Sequence, residues 1–241
     1  MKRIAILMTL FILACALSFG ALTQEYQILG GDKASVYDLG DTNLTKKISS
    51  TDLIETMSAT VTGDGWHEYS SPKDSAPLTN GLFESGGVSV LVDDNNDGLA
   101  NTPEIIFTYT FLTTKNILEI LIFAGHDGSG GDRAFIDAKV ETSTNGTNFT
   151  VLEEKLRAGV VDAPAPSPPA GTAVSFCRLY DDAAHNIANG VLAVRISIYS
   201  DFRDSAYRER DYSSMGGLDS PVLKEIDILE GATAVSDWNL Y

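Results

Sequence analysis

The chain has 241 residues, and 33 acidic side chains against 17 Lys and Arg leave it with a formal charge of -16. So acidic a surface repels phosphate backbones, which excludes nucleic acid as a natural partner; it keeps an exported protein soluble and leaves room for bound cations. The first residues, Lys2 and Arg3, the apolar run Ile4 to Leu17 and the small residues Ser18 and Gly20, read as a signal peptide over 1–20, cut after Gly20. That run is too short for a membrane span and no later stretch is long enough, so no transmembrane span is expected. The expected location is secreted, periplasmic or cell-surface. Ile12-Leu13-Ala14-Cys15 resembles a lipobox, but the bulky Leu13 and the apolar run continuing past Cys15 favour free secretion over a lipoprotein. Without the leader one cysteine remains, Cys177, so no intramolecular disulfide can form. Its apolar setting, "AVSFCRLY", fits a buried thiol better than a nucleophile.

Residues 21–52 are weakly patterned and read as an extension that packs on the domain or leads into its first strand. Beyond them, short runs rich in Val, Ile, Phe, Thr and Tyr recur between Gly, Asn, Asp and Ser clusters, and sustained helical periods are nearly lacking. The expected strands are Val88 to Val92, Glu104 to Leu112, Ile117 to Ala124, Ala134 to Thr142, Asn148 to Glu154, Ala173 to Leu179, Val191 to Tyr199 and Val222 to Leu229. In the fourth of these Ile136, Ala138 and Val140 face inward, with Asp137, Lys139 and Glu141 outward; in the seventh Leu192, Val194, Ile196 and Ile198 share one face. Asn145-Gly146 reads as a hairpin turn. Val161 to Thr172 holds four of the eight prolines and reads as a stiff surface excursion within one domain, because the strands after it are needed to complete the fold. This is an all-β chain, an antiparallel β-sandwich or jelly roll over 53–231 with a short tail at 232–241.

The order of elements then becomes recognisable. "LTNG" (Leu78 to Gly81), the pair "EIIFTYTFLTTKNILEILIF", the hairpin "RAFIDAKVETSTNGTNFTVL", the strand "GVLAVRISI" and the closing "KEIDILEG" together resemble the galactose-binding-like β-sandwich. Discoidin or coagulation-factor C-type domains and family 32 carbohydrate-binding modules share that fold. The resemblance implies a divergent bacterial member that holds a glycan or another extracellular surface ligand through loops at one end of the sandwich. It also implies a structural calcium where the opening loop meets the closing strand, at positions matching Asn80 and Glu225. Asn80 and Asn145 stand where the family carries Asp, and the two cysteines that clamp many discoidin domains are absent.

An acidic insertion, "DDNNDGLANTPE" at 93–104, fits the twelve-position calcium loop, with oxygens from Asp93, Asn95, Asp97 and Glu104. An EF-hand is excluded, because β-patterned segments flank it and Pro103 disfavours a helix at Thr102. A calcium loop between strands remains, beside the alternative of a solvated turn. Three other loops carry aromatic and hydrogen-bonding groups suited to sugars: Gly63 to Tyr69 with Trp66 and His67, Ala124 to Arg133 with His126 and Asp127, and Tyr199 to Ser214 with Arg203, Tyr207, Arg208 and Tyr212. The alternative is that the aromatics are packing residues and the arginines pair with nearby carboxylates. No zinc-binding spacing, G-x-S-x-G turn or phosphate loop occurs, so a non-catalytic binding module is expected, ahead of a structural or adhesive envelope protein with a protein partner.

Overall fold

A single strand, Ile105–His126, organises the molecule. The computed structural model describes residues 22–30, 48–63, 65–66, 70, 73–82, 90–91, 103–126, 136–158, 173–199 and 221–231. Within them lie β1 (Leu22–Gly30), β2 (Thr60–Gly63), a one-turn 3-10 helix (Ala76–Thr79), β3 (Val90–Leu91), β4 (Ile105–His126), β5 (Ile136–Ser143), β6 (Thr150–Ala158), β7 (Ala173–Asp181), β8 (Ala188–Ile198) and β9 (Val222–Glu230). Every pairing between them is antiparallel. The fold is an all-β antiparallel sandwich.

β4 is long because it belongs to both layers. Its first half pairs with β2 and β8, and β8 continues to β5 and β6. Its second half pairs with β7 and β9, which continue to β1 and β3. The change comes at Phe111 to Asn116, where the register with β8 slips between Thr110 and Lys115 and again before Ile117. Such irregularities bend a strand from one sheet into the next. Leu112 sits fully exposed at this corner. Two strands were expected here, since the slip interrupts the alternation on which that reading rests.

Between the layers lies one core. Ile105, Phe107, Tyr109, Ile120 and Ile122 of β4, Ile136, Ala138 and Val140 of β5, Cys177 and Leu179 of β7, and Ile226 and Ile228 of β9 are all in it, each fully buried. Burial pushes the Cys177 thiol well above its ordinary range, and the charge of Asp137 adds to the effect, so it is held as the neutral thiol. On the far face of β5, Asp137 and Glu141 point outward as expected but are covered by Arg157 and Arg195, at 3.0 and 2.7 Å. In β8 the expected face needs correction: Val191, not Leu192, joins the core. The register slip opposite Lys115 rotates that end of the strand. The hairpin at Asn145-Gly146 is present, with Gly146 at φ 76° and Asn145 Oδ1 accepting from the Thr147 and Asn148 amides.

The stretch expected as an extension supplies β1, an edge strand paired along its length with β7. β2 was also not foreseen. Its end, Gly63, has φ +103°, and a Cβ there would fall within 3.0 Å of the Glu104 carbonyl carbon. Gly63→Ala is therefore expected to cost about 2 kcal/mol, lowering Tm by roughly 4–8 °C. An unchanged thermal melt would show that this close approach is not needed.

Candidate functional site

Alternation in β9 is broken by a bulge at Lys224: Phe123 pairs with Glu225 and Ala124 with Leu223. The bulge lets Leu223, Ile226 and Ile228 all serve the core. Glu225 and Asp227 share the other face, where a strand usually meets solvent. They are nevertheless fully buried. The cover comes from residues 49–54 and from Gly81: the Ser49 amide donates to Asp227 Oδ2 (2.9 Å), the Gly81 amide to Glu225 Oε1 (3.1 Å) and the Leu53 amide to the Ile228 carbonyl (2.8 Å). From that segment Asp52 adds a third buried carboxylate, its Oδ1 accepting from the Ile54 amide (2.8 Å) and the Ile228 amide (3.5 Å). Glu55 stands beside it, its Oε2 lying 3.2 Å from where a Cβ on Gly81 would be.

The electrostatics are one-sided. Burial pushes Glu225 up to about 9, with Asp227, Asp52 and Glu55 adding like charge. Asp227 is pushed up to about 8, first by burial and then by Asp52, Glu55 and Glu119. Burial also raises Asp52, and it raises the Tyr109 phenol together with the charges of Glu225 and Asp52. On β5 the buried carboxylates Asp137 and Glu141 meet arginines; here the charges acting on the acids are those of other carboxylates. Among the described residues, one oxygen of each acid, Asp52 Oδ2, Glu55 Oε2, Glu225 Oε2 and Asp227 Oδ1, meets no hydrogen-bond donor, and the Tyr109 hydroxyl has no partner. Buried polar atoms left so cost about 1–3 kcal/mol each.

Hard anionic oxygens at this junction suit calcium, which takes oxygen ligands from carboxylates and carbonyls alike. Among the described residues no group of three or more His, Cys, Asp or Glu side chains is placed to hold a metal ion.

The residues expected from sequence fare differently. Glu225 and the loop of Asn80 do meet, through Gly81. Asn80 Oδ1 accepts from the Leu82 amide at 2.9 Å in a local turn. Glu104 is buried just ahead of β4, with its amide on the Ile198 carbonyl at 3.0 Å. Its companions in the acidic insertion, Asp93, Asn95 and Asp97, lie outside the described residues. Strands, β3 and β4, stand on either side of that insertion, as its exclusion from the EF-hand type requires. Trp66 is half-buried against the core, with its ring centroid 5.7 Å from that of Phe107. His126 ends β4, paired with Ala173. His67, Asp127, Arg203, Tyr207, Arg208 and Tyr212 lie outside the described residues. Sequence reasoning missed Asp52, Glu55, Asp227 and Tyr109, although an alternating acidic pair within the apolar "VLKEIDIL" was a usable signal.

No protein-family model matches the chain, and no curated protein sequence matches it. Among solved structures, the C-terminal domain of a chitobiase from Bacteroides fragilis aligns at TM-score 0.42 and 13% identity, covering 76% of this chain and 99% of that one. A pectin-binding carbohydrate-binding module aligns at TM-score 0.37 and 15% identity over 76% of this chain and 95% of its own. The K3 cleaved adhesin domain of Lys-gingipain from Porphyromonas gingivalis aligns at 0.26 and 13%, over 58% and 88%. None of these likenesses is strong enough to assign a ligand to this chain. Among the described residues no helix is long and apolar enough to cross a membrane.

Proposed function

We propose that the protein is an exported, non-catalytic β-sandwich module of the galactose-binding-like type, binding a glycan or another extracellular surface ligand through loops at one end. Calcium would stabilise the junction of opening loop and closing strand. The observation that carries this reading is the hydrogen bond from the Gly81 amide to Glu225 Oε1, which joins the opening motif to the closing strand across 144 residues. The resemblance implies that meeting. A rigid sandwich carrying loops suits recognition, because little ordering entropy is lost when a preformed frame binds.

A glycan array probed with wild type and Trp66→Ala, each with calcium and with chelator, tests the reading. Wild type is expected to bind at least one glycan class, and the variant to bind it roughly tenfold less, as stacking on an aromatic face is removed. No signal in either condition would discard glycan recognition. One observation favours a second reading: Trp66 packs on Phe107. If the tryptophan is wholly structural, the module is an adhesive or structural envelope protein with a protein partner.

A further inference from the structure

A row of side chains crosses the outer face of the layer formed by β2, the first half of β4, β8, β5 and β6. Register sets Thr60 beside Thr108, Thr108 beside Arg195, Arg195 beside Glu141 and Glu141 beside Val151. Their chain neighbours Val61, Phe107, Val194, Val140 and Leu152 lie in the core or pack against it, so alternation turns the row outward. Crossing five strands, it is roughly 19 Å long.

Arg195, at its centre, is held from two sides. Its Nε donates to Glu141 Oε2 at 2.7 Å, and its guanidinium lies 4.1 Å over the Phe149 ring. Its two Nη atoms make no hydrogen bond among the described residues, and the side chain is 32% exposed. A guanidinium fixed through its Nε and one face offers its remaining edge at little cost in entropy. Burial pushes the Glu141 carboxyl up, but Arg195 and Lys139 more than offset this and hold it below the usual carboxylate range. The central pair is therefore compensated in charge. Thr60 is exposed and Thr108 half-buried, and neither hydroxyl has a partner among the described residues. Val151, 46% exposed, gives the row an apolar end.

We infer that this row is a second binding surface, and that its occupant is an uncharged polysaccharide lying extended across the strands. Charge selects that occupant: the central pair is compensated, and the formal charge of -16 on the chain repels a polyanion. Two hydroxyls, a preset guanidinium edge and an exposed valine match the hydroxyls and C–H faces of a neutral sugar chain. The surface is a sheet face and not a loop cluster, so it goes beyond the reading above and does not depend on Trp66.

Affinity gel electrophoresis of the full chain tests the inference, with a soluble uncharged β-glucan, a galactomannan and a xyloglucan in the gel, and polygalacturonate as the charged comparison. At least one uncharged polymer is expected to retard the wild type, and polygalacturonate is not. Thr108→Val keeps the shape and strand preference of the residue while removing its hydroxyl; it should weaken retardation roughly fivefold and leave Tm unchanged, which separates lost binding from lost folding. Arg195→Lys keeps a positive charge opposite Glu141 but loses the planar fork and the stacking, and should weaken retardation at least roughly tenfold. Trp66→Ala should stay within about twofold of wild type. No retardation by any uncharged polymer, or retardation by polygalacturonate in their place, overturns the inference. Retardation lost in Trp66→Ala but kept in Thr108→Val and Arg195→Lys overturns it as well, and leaves the loop reading standing.

Discussion

With chelator present, the melting temperature is expected to fall as pH rises from about 5 to about 9. The unfolded carboxyls of Glu225 and Asp227 titrate near 4.5 and 3.8, while burial and neighbouring acids hold the folded ones up to about 9 and 8. Between those limits the folded state binds more protons than the unfolded, so the slope of stability against pH is negative. The contribution is fully present below the unfolded values and gone once both folded groups have ionised. The groups facing this pair are Asp52 and Glu55 from the covering segment and Glu119 and Tyr109 from β4. Even about 3 kcal/mol of linkage would move Tm by roughly 6–12 °C. Pairing Glu225→Gln with Asp227→Asn should flatten the profile. A wild-type profile as flat as that of the double variant would show that the two acids ionise freely in the fold.

Phe107→Ala should produce the largest loss from the core, roughly 3–5 kcal/mol. The ring is fully buried on the half of β4 that pairs with both β2 and β8, and it carries Trp66 against it. Its removal leaves a cavity between the layers and releases the tryptophan, so Tm should drop by about 10 °C or more. Denaturant unfolding followed by tryptophan fluorescence measures both. A loss below about 1 kcal/mol would mean that Trp66 and its neighbours are supported some other way.

The strands themselves were legible because alternation is written locally. Ile136, Ala138 and Val140 read as one face of a strand and are one face of β5. Asn145-Gly146 read as a turn, and the left-handed backbone at Gly146 is the reason it is one. Where the pattern slips, reading failed in a definite way. The irregular register of β4 near Lys115 split one strand into two, and it put Leu192 where Val191 belongs. β1 was missed because its run, "LTQEYQILG", mixes polar and apolar residues as an edge strand can.

The candidate site shows the same boundary more sharply. Glu225 was found through its place in a closing motif, and Asn80 through its place in an opening one. Asp227 and Asp52 were passed over, since an acid on the alternate face of a strand or in a turn ordinarily meets water. By itself the sequence determined that the chain is all-β and that its core faces are those of the alternating strands. Only the tertiary structure decided that β4 serves both layers and that the outer face of β9 is covered by residues 49–54 and Gly81. The physical reason is that periodicity depends on the backbone of one segment, whereas burial of a face depends on what a distant segment lays over it. That covering buries two acids that the strand pattern alone would leave at the surface.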